Sequence, residues 1–110
     1  FDRATGNNSV RAGPELWLVH AEALRRAGDA ALARTFARRA LEASRRYDDP
    51  SALSIARAQI VLADAELDLG EAGPARQLAG EARAILAAHR QVPDHDRKAL
   101  GRLEARLGRA

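Results

Sequence analysis

Apolar residues recur along most of the chain at spacings of three and four, which is the period of one face of an α-helix. Trp17, Ala21, Leu24 and Ala27 give the clearest example. Glycine and proline interrupt this pattern several times, and no stretch alternates between polar and apolar residues as a half-buried strand would. The pattern therefore predicts an all-α protein.

The interruptions divide the chain into a tail and five predicted helices. Residues 1–13 have no apolar period and several turn-forming residues, so we expect a loop or a frayed tail there. The predicted helices cover about 14–27, 30–46, 50–69, 73–90 and 94–107. Short connections favour antiparallel neighbours. Residues 14–92 should therefore form two helical hairpins, and residues 93–110 a capping helix or part of a third repeat.

Individual residues mark the predicted helix ends. Pro14 suits the first turn of a helix, where its missing N–H costs no hydrogen bond. Gly28 and Gly70 can adopt the left-handed conformation that ends a helix. Asp29 is placed to cap the second helix, and Asp49, which precedes a proline, is placed to cap the third.

The segment 28–43 recurs at 70–85 with an offset of 42 residues. Glycine meets glycine, an acidic residue meets an acidic residue, and three alanines coincide. The coinciding pairs are Gly28 with Gly70, Asp29 with Glu71, Ala33 with Ala75, Ala37 with Ala79, and Ala40 with Ala82. Small residues at these positions let the two helices of a hairpin cross closely. Their recurrence at a constant offset therefore indicates two copies of one hairpin.

The first copy resembles the tetratricopeptide repeat, in which large, small and bulky residues precede a glycine and further small residues follow it. Those positions hold Trp17, Ala21, Leu24, Gly28, Ala33, Ala37 and Ala40. The second copy keeps the small residues but has Gln59 and Glu66 at the bulky positions. The period exceeds the usual length of about 34 residues and is similar to the extended repeats of kinesin light chains and of many bacterial regulatory proteins. The resemblance covers roughly residues 14–90 and implies antiparallel hairpins stacked as a short right-handed solenoid.

The resemblance also implies a concave groove, formed by the first helix of each hairpin, in which a peptide or partner protein binds. By position in the family pattern, its residues are Glu15, Leu18, Val19, Glu22, Arg25 and Arg26, then Arg57, Ile60, Val61, Asp64, Leu67 and Asp68, then Arg102 and Arg106. The asparagines and lysines with which chaperone-binding members hold a C-terminal carboxylate are missing at these positions, so that activity is not implied. The alternative is that the apolar members are core contacts for a neighbouring repeat.

Composition narrows the classes of function. Eighteen basic and 15 acidic residues leave a net charge of +3, but both halves of the chain mix the two signs, whereas nucleic-acid binders concentrate positive charge. The chain has no cysteine, which excludes disulfides and thiolate metal sites. No apolar run reaches the roughly 18 residues of a membrane span, and no signal-peptide pattern is visible. We therefore expect a cytoplasmic location and no membrane partner.

Few residues are candidates for metal binding or catalysis. His89, Asp94, His95 and Asp96 flank a proline break, and acidic residues at a helix N-terminus are better explained by capping than by a metal site. His20 lacks an acid or nucleophile as partner and is interpreted as a partly buried structural residue. No serine elbow or phosphate-binding loop is present. We expect no catalysis, no cofactor and no metal.

The sequence thus predicts a non-catalytic protein-interaction module, the C-terminal part of a larger bacterial regulatory protein. One alternative is a structural or self-associating helical segment. The apolar run from Leu16 to Val19 motivates it, because a single hairpin cannot cover that much apolar surface, so the N-terminal helical face could join two copies. A nucleic-acid-binding helical domain is the less favoured alternative, and only the arginines support it.

Overall fold

A computed structural model describes the backbone of residues 2–109 and the side chains of residues 13–109. Residues 2–109 form five α-helices and no strand, which confirms the all-α prediction. The helices are α1 (Asp2–Arg26), α2 (Ala30–Tyr47), α3 (Leu53–Asp68), α4 (Ala72–Ala87) and α5 (Asp94–Arg109). Each helix packs against the next, and α3 also contacts both α1 and α5.

The two hairpin turns are built alike, as the offset of 42 residues predicts. Gly28 and Gly70 have φ angles of 90° and 82° and end α1 and α3 in the left-handed region, where a Cβ would be strained. Asp29 then caps α2, because its Oδ1 accepts a hydrogen bond from the Leu32 backbone N–H at 3.2 Å. Glu71 stands at the same position before α4 but makes no such bond.

The start of the first helix differs from the prediction. The backbone is helical from Asp2, where the sequence predicts a loop or frayed tail, and Pro14 lies inside α1 rather than at its first turn. A proline inside a helix removes one hydrogen bond and costs about 3 kcal/mol, and the turn-forming residues before it lower helix propensity by up to about 1 kcal/mol each. The helix nevertheless continues through this position, at which proline usually marks a boundary.

The start of α3 also differs. Its N-cap is Ala52, which makes no side-chain cap bond, and not Asp49. Oδ1 of Asp49 instead accepts hydrogen bonds from the backbone N–H and the hydroxyl of Ser51, at 2.9 and 2.8 Å. This local turn, which contains Pro50, provides hydrogen-bond donors for the Asp49 carboxylate four residues before the helix begins.

Two apolar clusters lie on either side of α3. One joins α1, α2 and α3, and the other joins α3, α4 and α5. The alanines at the helix crossings are buried, namely Ala33, Ala37, Ala40, Ala75, Ala79 and Ala82. Because α3 supplies buried residues to both clusters, it is the central helix of the fold. Trp17 is partly buried against the first cluster, where the repeat pattern predicts it.

Helix α5 rests on the second hairpin as α3 rests on the first. It contacts both α3 and α4, and it buries Leu100, Leu103 and Leu107 in the second cluster. This arrangement favours the first helix of a partial third repeat over a separate cap. The division of the chain into two hairpins and a remainder stays a prediction.

Candidate functional site

The first helices of the hairpins, α1 and α3, together with α5 enclose one groove with a volume of about 680 Å³. Helix α3 forms its floor, since it packs against both α1 and α5. The lining residues that the sequence predicts are Glu15, Leu18, Val19, Glu22, Arg25, Arg26, Arg57, Ile60, Val61, Asp64, Arg102 and Arg106. The sequence therefore indicates which residues converge, although it does not show that they bind a partner.

Six residues differ between the predicted and the observed lining of the groove. Asp68 does not line the groove but contacts two of its arginines, and Leu67 is partly buried in the second apolar cluster. The groove also includes Pro93, His95, Asp96 and Ala99, which sequence reasoning missed. The offset of 42 residues maps Arg57 onto Ala99 and could have found it. The other three depend on the path of the connection before α5, which no repeat pattern specifies.

The apolar part of the groove is formed mainly by residues of α1 and α3. Ile60 is buried, and Leu18 and Val61 are partly buried against the two apolar clusters. Val19 differs from them, because 63% of its surface is exposed in the groove. Ile60, and in part Leu18 and Val61, therefore pack within the chain itself, whereas Val19 leaves most of its apolar surface exposed in the groove. Contact of these residues with a neighbouring repeat stays a prediction.

One end of the groove is closed by ion pairs among Arg25, Asp64, Asp68 and Arg106, here called the charge cluster. Arg25 Nε donates to Asp68 Oδ2 at 2.6 Å, and Arg106 Nη2 donates to Asp68 Oδ1 at 2.8 Å. Arg106 Nη1 donates to Asp64 Oδ1 at 2.7 Å. Glu22, one turn before Arg25, also accepts from it at 2.9 Å. The charge cluster thus ties α1, α3 and α5 together.

The pKa values of the two carboxylates of the charge cluster are shifted in opposite directions. Burial raises the pKa of Asp64 above its ordinary value of 3.8, against the attraction of Arg25 and Arg106. Burial also acts to raise the pKa of Asp68, but the hydrogen bonds from the same two arginines outweigh it and lower that pKa. For Arg25, burial is likewise outweighed by the bonds to Asp68 and Glu22, so its pKa is raised. The arginines stay charged, and only the carboxylates respond to acid.

The other end of the groove is held by Arg57 and Asp96. Arg57 Nε lies 3.0 and 3.1 Å from the two carboxylate oxygens of Asp96, and this bond raises the pKa of Arg57. Asp96 is in the first turn of α5, as the capping interpretation places it, but it is buried and paired across the groove. Acidic residues at a helix N-terminus can thus serve tertiary packing as well as the helix dipole.

The histidines considered for metal binding are separated. His89 Nε2 lies 2.6 Å from the carbonyl oxygen of Ser51, whereas His95 is exposed at the mouth of the groove. Among the residues that the structure describes, no three histidine, aspartate or glutamate side chains could jointly hold a metal ion. His20 is exposed rather than partly buried, with its ring centroid 6.1 Å from that of Phe36.

The fold and the groove define a helical-repeat protein. The family model of the tetratricopeptide repeat matches residues 14–88, which covers both hairpins. The chain therefore belongs to the tetratricopeptide repeat family, whose repeats are typically non-catalytic modules for protein–protein interaction. Searches of the curated proteins and of the solved structures gave no significant match. No helix in the described part of the chain has the length and apolar character needed to cross a membrane.

Proposed function

We propose that this chain is a non-catalytic module that binds a peptide segment of a partner protein in the groove formed by α1, α3 and α5. The observation that carries the proposal is the exposed Val19, which lies beside Leu18 and Val61 in a concave site with charged ends. Concave sites that combine apolar surface with a few fixed polar groups are the usual places for ligands.

The ion pairs at the two ends support this function because they fix the walls of the groove before a partner arrives. Arg25 and Arg106 hold α1 and α5 to the same aspartate on α3, and Arg57 holds α3 to the start of α5. A site whose shape is set in advance loses less conformational entropy on binding. The groove can therefore bind a short segment without rearrangement of the helices.

The type of repeat and its cellular setting are proposed from resemblance. The equivalent glycine turns and buried alanines at an offset of 42 residues support the extended type of repeat found in kinesin light chains and bacterial regulatory proteins. On the same resemblance we propose that the chain acts as part of a cytoplasmic bacterial regulatory protein.

A peptide-display selection tests the proposed function. A random peptide library is selected on the full chain, and the peptides recovered are measured by fluorescence anisotropy against two variants. Val19→Asp places a charge in the apolar part of the groove and should weaken binding by about tenfold or more, equivalent to about 1.4 kcal/mol. Leu16→Asp is the matched control, because Leu16 is 56% exposed on the same helix and does not line the groove.

Peptides that bind both variants equally well would place the binding surface elsewhere and contradict the proposal. A selection that recovers no specific peptide would contradict it too. Far-UV circular dichroism of both variants should match the parent, since both side chains are more than half exposed and neither belongs to the buried core.

A further inference from the structure

Five arginines line the groove, but they differ in what they contact. Arg25, Arg57 and Arg106 pair with carboxylates of neighbouring helices. Arg26 and Arg102 are exposed, and within residues 13–109 neither has a carboxylate within ion-pair distance. Three of the five arginines are thus paired with carboxylates of the fold, and the other two are available to a ligand.

Both available arginines lie towards the end that carries the charge cluster. Arg26 follows Arg25 directly at the end of α1, and Arg102 is one turn before Arg106 on α5. Their carboxylate neighbours Asp64 and Asp68 are already engaged by Arg25 and Arg106. A ligand at this end of the groove therefore meets uncompensated positive charge.

The opposite end has the reverse character. Glu15 is exposed there, and its field acts on Arg57, whose pKa it helps to raise. Glu15 and Arg26 are eleven residues apart on α1, or about 16 Å at about 1.5 Å per residue. That distance corresponds to about five residues of extended peptide. The groove is thus a short site with apolar surface in its middle and a defined electrostatic direction.

We infer that the segment bound in this groove is an acidic peptide, with an apolar side chain against Val19 and Val61 and carboxylates that pair with Arg26 and Arg102. This inference rests on the proposed function and adds the chemistry of the partner. A segment that covers the two arginines removes water from them, and an unpaired charge that loses its hydration is costly. Only a partner that supplies acceptors offsets this cost, and carboxylates do so most strongly.

The remaining charges of the groove argue against a nucleic acid as the ligand. Glu15 and Glu22 lie along the same surface, whereas Asp96 is buried against Arg57. A phosphate backbone would pass these carboxylates and be repelled, whereas a peptide can alternate charged and apolar side chains. These carboxylates on the same surface as the two available arginines therefore favour a ligand with a few discrete carboxylates over a continuous line of phosphates.

Two labelled eight-residue peptides provide the test. One alternates leucine with aspartate, and the other has lysine in place of aspartate. Fluorescence anisotropy at low ionic strength should show the acidic peptide binding the full chain at least about tenfold more tightly. The double variant Arg26→Glu/Arg102→Glu should reverse this preference. Arg76→Glu, an exposed substitution on α4 outside the groove, should preserve it.

The outcomes separate the inference from the proposed function. Equal binding of the two peptides, or no binding of either, overturns the inference, as does a preference that survives the double variant. If the lysine peptide binds and Val19→Asp abolishes that binding, the groove is a peptide site but not for acidic segments. If single-stranded oligothymidylate binds as tightly as the acidic peptide and the double variant abolishes both, the ligand is a nucleic acid and the inference fails.

Discussion

Trp17 and Gln59 occupy equivalent positions in the two hairpins but differ in chemistry. Trp17 is partly buried against the apolar cluster that joins α1, α2 and α3. Gln59 is buried at 3% exposure, and its Nε2 donates to Glu81 Oε1 at 3.2 Å. Its own Oε1 has no partner among the described residues, and a buried acceptor without a partner costs about 1–3 kcal/mol. The first hairpin thus has an apolar side chain at this position, where the second has a buried polar group with an unsatisfied acceptor.

Trp17→Ala should lower the free energy of unfolding by roughly 2–4 kcal/mol, below the full range for a core tryptophan because Trp17 is only partly buried. Urea denaturation followed by far-UV circular dichroism measures the loss, since the variant has no tryptophan fluorescence. Leu16→Ala is the control and should cost less than about 0.5 kcal/mol, because Leu16 is largely exposed. Equal losses for the two variants would mean that Trp17 does not pack as described.

At the scale of the helices, the two hairpins differ most at the start of their second helix. Asp29 accepts a hydrogen bond from the Leu32 N–H, whereas Glu71, at the equivalent position, accepts none. The shorter aspartate side chain reaches the N–H groups of the first turn at an N-cap, for which glutamate is not among the favoured residues. The first turn of α2 therefore has a backbone N–H group that is capped by a side chain, whereas the first turn of α4 has no such cap.

Asp29→Ala should destabilise the protein by about 1 kcal/mol, because it removes this cap. Glu71→Ala should cost less than half as much, since no side-chain cap bond is lost there. Thermal or urea unfolding of both variants provides the comparison. The structural account would be wrong if Glu71→Ala proved the more damaging of the two.

The helices could be predicted because their signals are local. The glycines at positive φ and the small residues at the crossings act within one hairpin, and they appear in the sequence as a spacing. Proline was less informative. Pro14 is tolerated inside α1, and Pro50 belongs to a turn closed by Asp49, because a local hydrogen bond competes with helix capping.

The groove could be predicted as a set of helix positions, but its charge pairing could not. A repeat pattern tells which residues of α1 and α3 face the same side, and the structure brings those residues together. It does not tell that Asp96 reaches Arg57, or that Asp68 binds two arginines at once. Those pairs depend on the distances between helices that are far apart in sequence.

For the molecule as a whole, the exposed apolar residues lie on more than one surface. Val19 lies in the groove, whereas Leu16 and Leu32 are exposed outside it. At the offset of 42 residues Leu16 corresponds to Ala58, which is buried in the cluster that joins α3 to the first hairpin. Self-association through this outer face stays a prediction, and Leu16 is a better marker for it than Leu18 or Val19.

Acid should affect the stability of the molecule through the charge cluster in two opposed ways. The lowered pKa of Asp68 gives stability that is present above pH 3.8 and is lost as the pH falls through its folded-state pKa. The raised pKa of Asp64 gives stability that is present below pH 3.8 and is lost as the pH rises through its folded-state pKa. The contributions of the two carboxylates to the free energy of unfolding therefore partly cancel in the acid range.

Urea unfolding at a series of pH values between about 3 and 6 separates them. The Asp68→Asn variant should lose less stability than the parent on acidification, because the residue whose protonation is unfavourable has been removed. The Asp64→Asn variant should lose more, because the opposing contribution has been removed. Identical pH profiles for the two variants would contradict the assigned directions.

The charge cluster also bears on how the molecule unfolds. In a linear array of repeats each unit is coupled only to its immediate neighbours, so the ends can fray one at a time. Asp68 on α3 binds Arg25 from α1 and Arg106 from α5. Yet α1 and α5 do not pack against each other in the described part of the chain. If α5 detaches, Asp68 keeps Arg25 as its partner but loses Arg106. One carboxylate thus couples α1 to α5 across α3, a contact beyond nearest neighbours that a purely linear array lacks.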